Sequence, residues 1–324
     1  MSMPLPDPPA TLAIGYASES PATLLERPDT LAVLGFGACD LPDDARALRV
    51  GLAAPDGDAR VECWRTSGAV RAGRDGDLRW SSDGTHLFFA CELDEHAHGG
   101  IDAAAEHAYA RIGALVGESS TPHLLRLWNY LDAINLGDGD DERYRLFCSG
   151  RARGMRAHPR DGYPAATAIG RHDGVRVLQV YGLAARTPGT PVENPRQTSA
   201  WRYPRQYGPT APTFARGMRD GDGHLLISGT AAVVGHASRH DENLRAQLDE
   251  TIENLRSLLA QAGSRTPLGR GSMLKVYVRD PADADSVRTQ LRERCPDIAQ
   301  PLFLAGDICR RELLVEIDGT HRLA

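Results

Sequence analysis

The chain carries one supersecondary order twice, and this repeat restricts the folds open to it more than any other feature. In residues 85–93 the apolar strand THLFFACEL leads through a polar turn into a helical stripe of Ile101, Ala105, Ala108, Ile112 and Leu115, then into the extended run LLRLWNYL. In residues 224–234 HLLISGTAAVV is a strand, and Leu244, Leu248, Ile252, Leu255 and Leu259 follow on one stripe of 3.6-residue period. Gly263 stops that helix as a C-cap, and SMLKVYVRD takes the place of LLRLWNYL.

Each half continues with a second helical stretch, about 139–156 and 282–294, and then a hairpin-like pair of strands, AATAIGRHDGVRVLQVYGLA and PLFLAGDICRRELLVEIDGT. In the closing strands VRVLQVYG and ELLVEIDG, Gln179 of the first copy falls where Glu316 stands in the second. An acid with a neutral isostere in the other half leaves only the second copy equipped for proton transfer there. The expectation is an α+β fold of two units, each with helices on one face of a sheet. The first covers residues 1–185, the second 213–324, and 186–212 connect them. The rival reading is that two unrelated units share a common order, since identities between the halves are few.

At 324 residues the chain suits two domains of ordinary size, and its net charge of -6 argues against a general affinity for nucleic acid. No run of about 18 apolar residues occurs, and MSMPLPDPPA has neither a basic nor an apolar leader region, so a cytoplasmic location is expected. The six cysteines are scattered without a CxxC pair and read as reduced thiols. His236 and His240 stand four apart with no third ligand in sequence reach, and ISGTAAVVG lacks nucleotide-binding spacing. No metal or cofactor is expected.

Two segments suggest chemistry. From Arg196 to Arg219 there are five arginines and no acid, interleaved with Tyr203 and Tyr207 and stiffened by Pro204, Pro209 and Pro212. Guanidinium groups hold carboxylates bidentately, so Arg205, Arg216, Tyr203 and Tyr207 suit a small dianion; the plain alternative is a solvated linker. In the last strand Glu316 interrupts an apolar run and shares a face with Leu314 and Asp318, while Val315 and Ile317 point the other way. Burial there raises a carboxyl pKa towards what a general acid needs, whereas an exposed sheet edge leaves it an ordinary acid. Cys309 lies on the other arm of the same hairpin. Lys275, Tyr277 and Arg279 alternate along LKVYVRD, as a face lining a cleft or an ordinary surface would.

With these residues in hand, the chain resembles the chorismatase family over nearly its whole length. The likeness is densest in LWNYLDAIN with RYRLFCSGR, in ENPRQTSAWRYPRQYGPTAPTFARG, in LLISGTAAVVGH and in AGDICRRELLVEIDG. The C-terminal part also resembles the RidA or YjgF fold, without the arginine motif of RidA deaminases. The resemblance implies a cofactor-independent attack on chorismate, in which Glu316 protonates the enolpyruvyl methylene and Cys309 assists rearrangement of the ring. It implies that Arg216, Tyr203 and Arg279 hold the carboxylates. Ala231 departs from the glycine expected of a strict 3-hydroxybenzoate former, so 4-hydroxybenzoate beside 3-hydroxybenzoate is also expected. A chorismate hydrolase giving a dihydroxycyclohexadienoate and a RidA-like imine or enamine deaminase are the alternatives. RidA relatives form trimers, a state that two fused copies could replace within one chain.

Overall fold

The computed structural model describes residues 11–57, 59–155 and 162–323, so the leader region read from MSMPLPDPPA and the last residue of the helical stretch 139–156 lie outside it. Three larger sheets and a two-stranded ribbon build the described residues. The first joins β1 (Ala13–Ala17), β2 (Thr30–Phe36), β3 (Ala47–Arg49) and β4 (Arg60–Arg65) in the order β1-β4-β2-β3, with a short helix α1 (Pro21–Leu25) in its first connection. These residues fall in the expected first unit yet form a sheet of their own, so the repeat proper starts after them.

The second sheet contains β5 (Arg71–Asp75), β6 (Leu78–Ser82), β7 (His86–Asp94), β8 (His123–Asp132), β9 (Ala165–Arg171) and β10 (Val177–Ala185). Helices α2 (Ile101–Glu118) and α3 (Arg143–Gly154) connect β7 to β8 and β8 to β9. The third sheet repeats the plan with β11 (Thr190–Val192), β12 (Gly217–Arg219), β13 (His224–Thr230), β16 (Ser272–Val278), β17 (Leu302–Ala305) and β18 (Val315–Arg322). A small ribbon, β14 (Val233–Val234) with β15 (Ala237–Ser238), precedes α4 (Leu244–Gln261), and α5 (Ala284–Arg294) precedes β17.

The strand orders β5-β6-β7-β10-β8-β9 and β11-β12-β13-β18-β16-β17 have the same pattern. Gln179 pairs across from Tyr130 as Glu316 pairs across from Tyr277, which places the amide and the acid at equivalent points of the two units. One expectation is corrected: neither closing pair is a hairpin, because β8 lies between β9 and β10, and β16 between β17 and β18. The helical crossover makes β9 parallel to β8 and β17 parallel to β16, so each takes the sheet edge, and the last strand returns antiparallel into the gap beside β7 or β13.

Strand alternation then sorts the side chains. Val315 and Ile317 pack beneath the stripe Leu248, Ile252, Leu255 and Leu259 of α4. Glu316 and Asp318 point the other way, to an interior shared by all three sheets and filled by Trp64, Trp128, Tyr130, Tyr181 and Tyr277. Trp128 stacks on Tyr181 with ring centres 4.8 Å apart. Asp318 is wholly buried there and accepts hydrogen bonds from Arg126 (3.0 Å), Trp128 Nε1 (3.0 Å), Thr167 (2.7 Å) and Tyr277 (3.0 Å). Lys275, the chain's one lysine, pairs at 2.7 Å with Glu62, which also accepts from Trp64 Nε1 at 2.7 Å. Buried charge is tolerated only when partnered in this way, and these two networks tie the first and second sheets to the third.

The equivalent place in the first unit is closed. The Gln179 side chain donates to Arg49 O (2.8 Å) and to Glu92 (2.9 Å) and accepts from the Gly51 amide (3.3 Å), so the end of β3 fills the space before it. Among the described residues no helix is long and apolar enough to cross a membrane. All six cysteines are free, five of them buried and Cys309 half-buried.

Candidate functional site

A cavity of about 400 Å³ opens on the third sheet where the connection 186–212 wraps over it. Its floor is Glu316. The register of β13 against β18 slips between Ile227 and Thr230, and the bulge sets Gly229 against the Glu316 carboxylate, where a Cβ would overlap it. Glu316 is 4% exposed. Burial, reinforced by the negative charge of Asp318, raises its pKa to about 8, although Arg126, Arg216 and Arg310 pull the other way. A carboxyl in this state stays largely protonated at neutral pH, and this one borders an open cavity.

Cys309 borders the same cavity on the loop between β17 and β18. Burial, followed by the charge of Glu316, pushes its pKa up, so the thiol keeps its proton. That loop is pinned to the first unit: Gly170 and Asp307 exchange backbone hydrogen bonds of 2.8 and 3.0 Å, and Arg311 donates to Asn135 O at 2.9 Å. The site is therefore lined by both units, with Glu316 and Cys309 from the second and Tyr144 and Arg145 from α3 of the first.

The walls carry the positive charge. Arg216, following the connection, donates to Tyr203 OH (2.6 Å) and Thr198 O (2.8 Å) and lies over the Phe214 ring. Arg310 lies 4.0 Å from the Tyr207 ring centre and 5.1 Å from that of Tyr203, and donates to His236 O (2.9 Å) and Ser238 Oγ (3.0 Å). The stacked and hydrogen-bonded guanidinium groups are held in place before any ligand arrives. Ala231 lies on the cavity wall, with its carbonyl fixed by Asn254 Nδ2 of α4 at 3.0 Å.

The structure thus brings together Glu316, Cys309, Tyr203, Tyr207, Arg216 and Ala231. It leaves two candidates outside the lining. Arg205 extends into solvent with its side chain 66% exposed and pairs with Asp140, because its short 3-10 turn points it away from the sheet. Arg279 spends its donors on Leu313 O (2.8 Å), Ile308 O (3.1 Å), Arg310 O (2.9 Å), Asn135 (3.2 Å) and Asp307. It clamps the loop that presents Cys309 and Arg310 instead of facing the cavity. Lys275 and Tyr277, on the same strand, turn into the core. His236 packs on Tyr207 and His240 on Glu250, so they share no ligand position.

Sequence reasoning missed Arg310, Tyr144, Arg145, Gln206 and Phe214, all of which line the cavity. The signal for Arg310 was its place beside Cys309. Tyr144 and Arg145 come from α3 of the first unit, which no local pattern connects with β18.

Comparison with known proteins follows the same geometry. Residues 62–184 match a family described as chorismatase FkbO/Hyg5-like, N-terminal. The chain is 35% identical to a chorismatase of Streptomyces rapamycinicus over 88% of this chain and 89% of that protein. It is 34% identical to a 3-hydroxybenzoate synthase of Streptomyces hygroscopicus over 84% of each. A crystal structure of a chorismatase superposes with a TM-score of 0.85 at 31% identity, covering 96% of this chain and 99% of that one.

Proposed function

The chain belongs to the chorismatase family, and on that premise we propose that it cleaves chorismate, with Glu316 as the general acid, to pyruvate and a hydroxybenzoate. The observation that carries this reading is the buried Glu316 carboxyl, its pKa raised to about 8, in a cavity whose lining includes Arg216, Arg310, Tyr203 and Tyr207. Two guanidinium groups and two phenols offer directional donors to the two carboxylates of the substrate. The third side, Glu316, meets the enolpyruvyl group.

Proton transfer from Glu316 to the enolpyruvyl methylene creates an oxocarbenium ion on the adjacent carbon. The neighbouring ring hydroxyl then attacks the ring carbon bearing the ether and returns its proton to the Glu316 carboxylate, the C–O bond to the ether breaks, and its electrons form the ketone of pyruvate. The arene oxide left behind opens and loses a ring proton, which gives 3-hydroxybenzoate. Chorismate contains the atoms of both products with nothing added, so this route consumes no water, unlike the hydrolytic alternative. Cys309, which borders the same cavity as Glu316, moves a proton during ring opening in this reading. Ala231 adds a methyl group to the wall, and 4-hydroxybenzoate is proposed as a second product.

Incubating the purified chain with chorismate and separating the products tests the reading. Pyruvate and hydroxybenzoate in equal amounts support it. A dihydroxycyclohexadienoate would identify the hydrolytic route, and inert chorismate with ammonia released from an amino-acid imine would identify a deaminase.

A further inference from the structure

We propose that Asp77, His98 and His107 form a binding site for one borderline divalent cation, zinc above all, on the outer side of the first unit. None of the three lines the cavity around Glu316, and the proposal does not depend on the chemistry assigned there. The residues come from three elements: Asp77 from the turn between β5 and β6, His98 from the turn after β7, and His107 from α2. Their candidate ligand atoms all lie within 4.8 Å of one another. No short spacing in the sequence announces such a set.

The turn that brings them together is specific. Gly99 and Gly100 follow His98 at φ 81° and 105°, a backbone that side chains with a Cβ rarely adopt, and the reversal lays His98 back over α2. The two imidazole centres are 4.9 Å apart. His98 Nδ1 lies 2.8 Å from Asp94 O. A carbonyl only accepts, so Nδ1 carries the proton and the lone pair of the neutral ring sits on Nε2. A backbone carbonyl that fixes the tautomer and orients the free nitrogen is the usual support of a metal-binding histidine.

His107 Nε2 and Asp77 Oδ2 are already 3.0 Å apart, near the ligand-to-ligand separation of about 3.3 Å implied by tetrahedral zinc bonds of about 2.0 Å. A small side-chain movement of His98 completes the triangle. His107 and Asp77 are 41% and 44% exposed, so an ion has access and water can supply a fourth ligand. Two imidazoles and one carboxylate match zinc and its neighbours in the divalent series better than magnesium or calcium, which take oxygen ligands.

Equilibrium dialysis of the full chain with zinc chloride, beside His98→Ala and His107→Ala, tests the site. The expected result is saturable uptake of one ion per chain at micromolar concentration, weakened tenfold or more in either variant. Thermal unfolding supplies a second reading. Zinc should raise the wild-type midpoint above its value in chelator and leave each variant at its own chelator midpoint. Equal uptake by wild type and variants, or no saturable uptake by the wild type, overturns the proposal.

Discussion

Gly229 lies against the carboxylate of Glu316 with no room between them for a Cβ. The bulge in β13 produces this contact, and the absence of a side chain preserves it. Gly229→Ala should push the carboxyl out of register. A displacement near 1 Å costs on the order of 100-fold in turnover, with a stability loss of about 1–3 kcal/mol. Steady-state pyruvate release and thermal unfolding measure the two effects, and wild-type turnover would dismiss the contact as irrelevant.

The ordinary glutamate pKa lies near 4.5 and that of Glu316 near 8. The folded protein therefore binds more protons than the unfolded chain between these values. The contribution of this group to stability is full below about 4.5 and is lost as pH rises to about 8, by a few kcal/mol in total. Activity follows the same proton and should fall tenfold per pH unit above about 8. Glu316→Gln removes both dependences: turnover drops by about 10²–10⁴ at neutral pH, while the variant gains stability over the wild type as pH rises. A pH series of unfolding midpoints and initial rates checks both.

Asp318 raises the pKa of Glu316 and also balances the buried guanidinium of Arg126. Asp318→Asn removes the repulsion and leaves Arg126 without its counter-charge, and both changes favour an ionised Glu316. The alkaline limb of the rate profile should move to lower pH, and stability should fall by roughly 3 kcal/mol. An unshifted limb would separate the buried network from the acid's titration.

Arg310 and Arg205 make opposed predictions. Arg310→Ala removes a cation fixed over two tyrosines at the cavity wall and should raise KM for chorismate tenfold or more, about 1.4 kcal/mol. Arg205→Ala removes only a solvent-exposed pair with Asp140, so KM should change by less than about twofold. Substrate titrations of the two variants side by side provide the comparison.

Ala231→Gly takes one methyl group from the cavity wall. The expected outcome is a product mixture moved towards 3-hydroxybenzoate with total pyruvate release preserved, read by chromatography of the aromatic acids. An unchanged ratio would place the control of product elsewhere in the wall.

Much of this was legible in the sequence because its cause is local. Helical stripes, alternating strands and the repeat each follow from side-chain periodicity, and Glu316 was visible as a polar break in an apolar strand. The course of each final strand was not, since AATAIGRHDGVRVLQVYGLA carries the alternation of a hairpin whether or not another strand lies between its arms. Arg279 and Arg205 were misplaced for a related reason. Charge and spacing reveal a guanidinium but not its destination, and the carbonyls of the 306–314 loop took one while water and Asp140 took the other. Arg145 comes from α3 and lines a cavity floored by β18, a proximity set only by packing.

The backbone of Arg49 and Gly51 seated before Gln179 gives the duplication an arithmetic consequence. Among the described residues only the second unit leaves this position open to a cavity, so titration with a tight transition-state mimic should end at one equivalent per chain. Gln179 instead holds the backbone of the amino-terminal sheet through Arg49 and Gly51. Its substitutions should register in the lifetime of the fold and leave the reaction untouched.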